Sequence, residues 1–301
     1  MKAADTIIED QNAIASKLRD YAVLFKLRLS FLVVVSASLG YLMAVDKIIW
    51  VDFLILVFGG FLVTGSSNAF NQVWEKDLDK IMDRTQMRPL PQGKIQVSEA
   101  LIAASIAGAL GIGLLWILLN PLSGVLGLLA LFLYVFIYTP LKPISSIAVF
   151  VGAIPGAIPP MLGYVAGSGA FGLEAGILFA VQFMWQFPHF WAIAWVLDDD
   201  YKKGGYRLLP FKEGRSKRSA FQIVLYTAIL IPVSLLPWAI PFEQPMIGNI
   251  AMLVSSLMGI WFLWLAYKLY RSLEKKDAKK LMFASFLYLP VIQLVYVLDK
   301  L

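Results

Sequence analysis

Asn71, Glu75, Asp79 and Asp83 recur every four residues where an apolar run of the sequence ends. A helix advances about 100° per residue, so each lies one turn beyond the last with a drift of roughly 40°, and the first three share a face. Like charges at i,i+4 cost an isolated helix about 0.2–0.5 kcal/mol per pair, and more where the helix end meets lipid. Something positive should sit among them. Oxygen-only donors suit a hard ion such as Mg²⁺, which keeps waters and usually shares its shell with substrate phosphates. Arg84 and Arg88 follow within two turns and could hold the remaining phosphate charge in bidentate fashion. The competing reading is a water-facing helix end in which Lys76, Lys80 and Arg84, also spaced by four, neutralise the acids.

A second acidic set, Asp198-Asp199-Asp200, is followed by Tyr201-Lys202-Lys203-Gly204-Gly205 and ends another apolar run. Two acidic sets on one membrane face are harder to explain as solvated helix ends. The same run carries Trp185-Gln186-Phe187-Pro188-His189-Phe190-Trp191, with the chain's single histidine deep in an apolar span. A histidine at that depth suggests a role. An axial haem ligand and a hydrogen bond to a neighbouring helix are both open.

The elements that must position these residues follow from hydropathy. Of 301 residues, 59% are hydrophobic and 15% charged, and the mean hydropathy is +0.73. Soluble domains carry charged residues near 25%, so this composition excludes a soluble enzyme and predicts a polytopic membrane protein. The absence of cysteine excludes disulfides, thiolate metal sites and thioether-linked haem. Spans are expected at about 22–45, 52–73, 97–119, 122–139, 146–166, 172–196, 219–240, 246–270 and 281–298. The net charge of +6 is carried by loops beside the spans, near 74–96 and 198–218 above all, with little opposite beyond Lys47. The positive-inside rule then sets the N-terminus in the cytoplasm, the C-terminus outside and both acidic sets on the cytoplasmic face. Residues 1–20 are polar and lack signal-peptide features, so no cleavage is expected. Ile7, Ile8, Ile14 and Leu18 could form one weak stripe of an interfacial helix. The fifth run, with Pro155, Pro159 and Pro160 among glycines, is expected to be broken and to line a cavity.

With these residues assembled, the chain resembles the intramembrane aromatic prenyltransferases of the UbiA superfamily, from about Lys26 to the last span, and within it the haem-modifying branch. Asn71, Glu75 and Asp79 match the first acidic motif, Glu75 standing where Asp is usual. Asp83-Arg84-Thr85 and Arg88-Pro89 are similar to the haem-type continuation. The haem-type resemblance rests further on Tyr138-Thr139 with Leu141-Lys142, on Gly156-Ala157-Ile158-Pro159-Pro160 with Gly163, on Gln186 to Ala192, on Asp200-Tyr201 and on Leu208-Leu209-Pro210. Three positions depart from the pattern. Val196 occupies the first position of the second acidic motif, which leaves open which of Asp198, Asp199 and Asp200 reaches a metal. Pro143 and Ile144 replace a basic pair after Lys142, and Lys26-Leu27-Arg28 stands for Lys-Pro-Arg.

The resemblance implies an all-α membrane protein of about nine transmembrane helices around a central cavity open to the cytoplasmic side. Residues 1–20 would be a polar cytoplasmic segment and 21–301 a single transmembrane prenyltransferase domain in the cell inner membrane. It implies Mg²⁺-dependent transfer of a farnesyl group from farnesyl diphosphate to a vinyl group of protohaem IX. Asn71, Glu75, Asp79, Arg84, Arg88 and Asp200 would be catalytic, and Asn71, Glu75, Asp79, Asp199 and Asp200 would hold metal. Lys26, Lys142, Lys202, Tyr138, His189 and Trp191 would bind substrate. Expected partners are membrane lipid and a haem A synthase or oxidase assembly that receives the product, with no nucleic acid. The rival enzyme reading is prenylation of a quinone-precursor ring. The rival from another class is a haem or lipid transporter, which would not need acids and arginines massed on one face.

Overall fold

The computed structural model describes residues 14–240 and 245–301. Among them, nine helices are long and apolar enough to cross a membrane: α1 (Leu27–Ala44), α2 (Trp50–Trp74), α3 (Val97–Leu119), α4 (Pro121–Leu141), α5 (Ala148–Ser168), α6 (Leu173–Lys203), α7 (Lys217–Ala239), α8 (Asn249–Ser272) and α9 (Lys275–Leu298). Several ends carry the expected local chemistry. Asn120 accepts from the Ser123 N–H (2.8 Å) ahead of Pro121, Ser216 caps α7 through the Ser219 N–H, and Gly169 leaves α5 at φ +71°. A helix over residues 14–24 precedes α1, with Ile14 and Leu18 both exposed on it. Ile7 and Ile8 lie outside the described residues.

Two boundaries differ from expectation in ways that matter for function. α1 begins at Leu27 because Lys26 adopts a left-handed conformation (φ +46°, ψ +54°) that ends the preceding helix. α6 runs seven residues beyond the expected 196 and carries the second acidic set on its own last turns.

α5 corrects the expectation of a broken span. It is one continuous helix with Pro155, Pro159 and Pro160 inside it. Pro160 has no N–H for the Gly156 carbonyl four residues back. The Gln182 side chain of α6 supplies the missing donor, Nε2 to O at 2.7 Å. The Gln182 Oε1 accepts in turn from Ser36 of α1 (2.7 Å) and Gln293 of α9 (2.8 Å), and Gln293 also donates to Ser36. Four helices are thus joined by a satisfied polar knot, which an apolar medium favours because water cannot compete for the bonds. α5 also meets α1 almost backbone to backbone: a Cβ on Gly163 would lie 1.8 Å from the Ala37 carbonyl oxygen. Two apolar cores meet at α5 and α6, one mainly among α1 to α5 with Ala175 of α6 and one mainly among α6 to α9 with Val149 and Ala153 of α5, while side chains such as Phe31, Ile117 and Phe283 face outward as lipid would require.

Candidate active site

The end of α2 delivers the first acidic set in three separate local conformations. Asn71 is in its last helical turn, Glu75 caps it, and Asp79 ends a short helix, Lys76–Asp79. All three are buried, Asp79 completely, so the water-facing arrangement is not what forms. Their partners are cations brought from distant sequence. Lys26 Nζ donates to Asn71 Oδ1 (3.1 Å), Lys142 to Glu75 Oε1 (2.7 Å) and Arg88 Nη1 to Asp79 Oδ2 (2.6 Å). Lys80 instead pairs with exposed Asp77.

Each cation is held by its own local device. Gln72 of α2 donates to the carbonyls of Val23 and Leu24 (3.1 and 2.7 Å), fixing the turn from which Lys26 projects. A non-glycine residue at positive φ is strained, and such strain collects at functional sites. Arg88 sits on a loop folded under Asp79: Thr85 Oγ1 donates to the Asp79 carbonyl (3.0 Å), and Met82, Leu90 and Ile95 are buried beneath. Lys142 directly follows α4, whose π-helical stretch, Leu133–Tyr138, lays the Tyr138 ring 4.7 Å from its ammonium. Thr139 beside it accepts from Asn71 Nδ2 (3.2 Å) and donates to the Tyr134 carbonyl.

Three cations face two carboxylates here, because Lys26 is spent on a neutral amide. The excess is felt in the ionisations. Burial, then repulsion from Arg88 and Lys142, pulls Lys26 down to about 7. Burial pushes Glu75 upward, but the Lys142 ammonium outweighs it and holds the carboxyl below its ordinary value. Asp79 is raised by burial despite Arg88. Such a site attracts a polyanion.

The donor set also fits a hard cation. It is oxygen-only, and Asp79 Oδ1 is buried with no hydrogen-bond partner among the described residues. No group of three Asp, Glu or His side chains converges among the described residues. Mg²⁺ needs only one or two carboxylates when waters and phosphate oxygens complete its shell.

The second acidic set is not brought into this cluster. Asp199 is exposed and gripped by the Arg215 fork at 3.0 and 2.9 Å. Asp200 accepts the backbone N–H groups of Asp83 (2.7 Å) and Arg84 (3.4 Å), and Lys203 pairs with Asp83 at 2.5 Å, so α6 and the loop after α2 are clasped together. Arg84 is exposed, 5.9 Å from the Tyr201 ring, and exposed Lys202 pairs with buried Asp198. Trp191 packs on Phe187 and Tyr226 within the α6–α9 core. His189 lies at mid-span, stacked on Trp185 (4.3 Å) with Nδ1 2.7 Å from Ser285 Oγ of α9. That hydroxyl's single proton goes to the Met282 carbonyl (2.6 Å). It must therefore accept from Nδ1–H, which leaves Nε2 with a lone pair and no partner among the described residues.

Against known proteins, the UbiA prenyltransferase family model matches residues 33–289. The chain belongs to the UbiA prenyltransferase family. A protein named protoheme IX farnesyltransferase from Christiangramia forsetii is 47% identical over 289 residues, spanning 96% of each chain. The UbiA fold is shared with a solved digeranylgeranylglyceryl phosphate synthase (TM-score 0.78, 21% identity, 94% of this chain and 98% of that one). It is shared too with a UbiA homolog from Archaeoglobus fulgidus bound to GPP and Mg²⁺ (TM-score 0.64, 15% identity, 92% of this chain and 99% of that one).

Residues to which the sequence gave no role at the site support it: Gln72, Thr85 and Thr139, with Tyr206 buried on the loop after α6. Thr85 and Thr139 stood inside the haem-type motifs, and Tyr206 follows a Gly-Gly turn beside the second acidic set.

Proposed function

We propose that this UbiA-family chain transfers the farnesyl group of farnesyl diphosphate to a vinyl group of protohaem IX, giving haem O. The geometric support is the buried excess of cations at the end of α2, where Lys26, Arg88 and Lys142 outnumber Glu75 and Asp79. Near-full-length identity to a protein named for that reaction selects the acceptor.

Lys26, Arg88 and Lys142 bind the diphosphate and stabilise the charge that grows on it as the allylic C–O bond breaks. Arg88 offers a fork suited to two phosphate oxygens. Asn71, Glu75 and Asp79 would hold Mg²⁺, which supplies further positive charge to the leaving group. Asp200, Lys203 and Asp83 keep the loop closed so that water does not reach the cation prematurely. The allylic carbon then bonds to the terminal vinyl carbon, and water adds to the new cation, releasing a proton. Tyr138, beside Lys142, is positioned to shield positive charge with its ring face. His189 would meet the haem iron through its free Nε2.

Excess basic residues in the connections on the site's side support a cytoplasmic N-terminus and site with the C-terminus outside, in the cell inner membrane. The lipophilicity of a farnesylated haem supports product hand-over within the membrane to a haem A synthase or oxidase assembly. Purified protein given haem B, farnesyl diphosphate and Mg²⁺ should yield haem carrying a farnesyl group and a hydroxyl, read by mass. Unchanged haem would defeat the assignment, and consumption of an added quinone-precursor ring would replace the acceptor.

A further inference from the structure

Tyr206 stands on the loop between α6 and α7, at 3% exposure. Gly205, at φ +76°, makes the turn that directs it inward, and the Tyr206 N–H donates to the Tyr201 carbonyl at 2.9 Å. The Tyr201 ring packs edge-on at 6.0 Å. This backbone and ring packing fixes the side chain without using its hydroxyl. The hydroxyl is fully buried and closely approaches the Glu75 carboxylate, but it does not meet the geometry of a formed hydrogen bond with any described residue.

Buried polar atoms in native proteins almost always find partners, so an orphan calls for one not yet present. The neighbours narrow the choice. Glu75 Oε1 is committed to Lys142, and Asp79 Oδ2 to Arg88. Around them three cations await an anion that offers many acceptor oxygens and no donors. A phenol keeps its proton at neutral pH, so the hydroxyl remains a donor.

We propose that Tyr206 is a further catalytic residue, its O–H donating to an oxygen of the prenyl donor's diphosphate and strengthening as negative charge gathers there during C–O cleavage. This rests on the donor reading given above. A neutral donor suits the position, since a fourth buried cation would deepen the charge excess already burdening Lys26.

Tyr206→Phe removes only the hydroxyl and strands no acceptor, so the fold should survive with its melting temperature unchanged. The expected result is a fall of about tenfold in kcat/KM for farnesyl diphosphate and similarly weaker inhibition by Mg²⁺–pyrophosphate, as loss of one hydrogen bond to a charged group predicts. Haem affinity should not move. Wild-type values for both diphosphate measurements would overturn the assignment, as would parallel losses in haem affinity and thermal stability, which mark a loop support. Failure of wild-type protein to bind pyrophosphate at all would instead remove the donor reading itself.

Discussion

Asp79 and Arg88 form a buried pair at the centre of the site, with one Asp79 oxygen left free. Asp79→Asn keeps the shape but removes the charge that Arg88 and a cation both need. Turnover should fall below a tenth of wild type, and a higher rate would count against the metal assignment. Arg88→Ala should weaken farnesyl diphosphate binding by about 1.5–3 kcal/mol while sparing haem. Arg88→Lys should restore only part of it, because a point charge lacks the fork; unchanged donor affinity in Arg88→Ala would disqualify the contact. His189 allows a sharper division. If Nε2 meets iron, His189→Ala shifts the spectrum of bound haem and leaves donor binding intact. If the ring only bonds Ser285, stability drops by about 0.5–1.5 kcal/mol and the spectrum stays the same.

α5 is shaped by contacts that admit no extra atom. Gly163 faces the α1 carbonyl of Ala37 at a distance where no Cβ fits. Gly163→Ala should therefore cost about 3 kcal/mol or more, or prevent assembly, since backbone rather than a movable side chain must shift. Gly176→Ala in α6 is the matched control, because its Cβ would meet open space. Equal melting temperatures for the two variants would refute the close α1–α5 packing. The proline-rich sequence suggested a break because it removes backbone donors. Gln182 restores the donor across the helix interface, and nothing local to α5 reveals that.

Across the molecule, the polar site is assembled from the segment before α1, the end of α2, the following loop, the end of α4 and the loop after α6. A ligand that bridges these pieces should stabilise the folded state in proportion to its occupancy, by about 2.7 kcal/mol at a hundred times its Kd. Pyrophosphate with Mg²⁺ should raise the melting temperature of detergent-solubilised protein. Chelation should reverse the rise, and Arg88→Ala should abolish it. A rise that persists in the presence of chelator would mean that cations of the chain suffice.

The sequence by itself determined the nine apolar helices, because twenty-residue hydrophobic runs have few alternatives in a bilayer. It also singled out Asn71, Glu75, Asp79 and Arg88, whose spacing survives as neighbourhood. It required a positive partner for the acids and offered a hard metal ion with Arg84 and Arg88, or else Lys76, Lys80 and Arg84 on a water-facing helix end. Only the tertiary structure decided that the partners are Lys26 and Lys142, 45 and 67 residues away from Asn71 and Glu75, together with Arg88. It likewise drew Asp199 off to Arg215, turned Trp191 into a core and brought Tyr206 inward. The reason is physical: periodicity encodes which face of an element is apolar, whereas the pairing of buried charges depends on which elements meet, and that is set by glycine contacts and polar knots between helices remote in the chain.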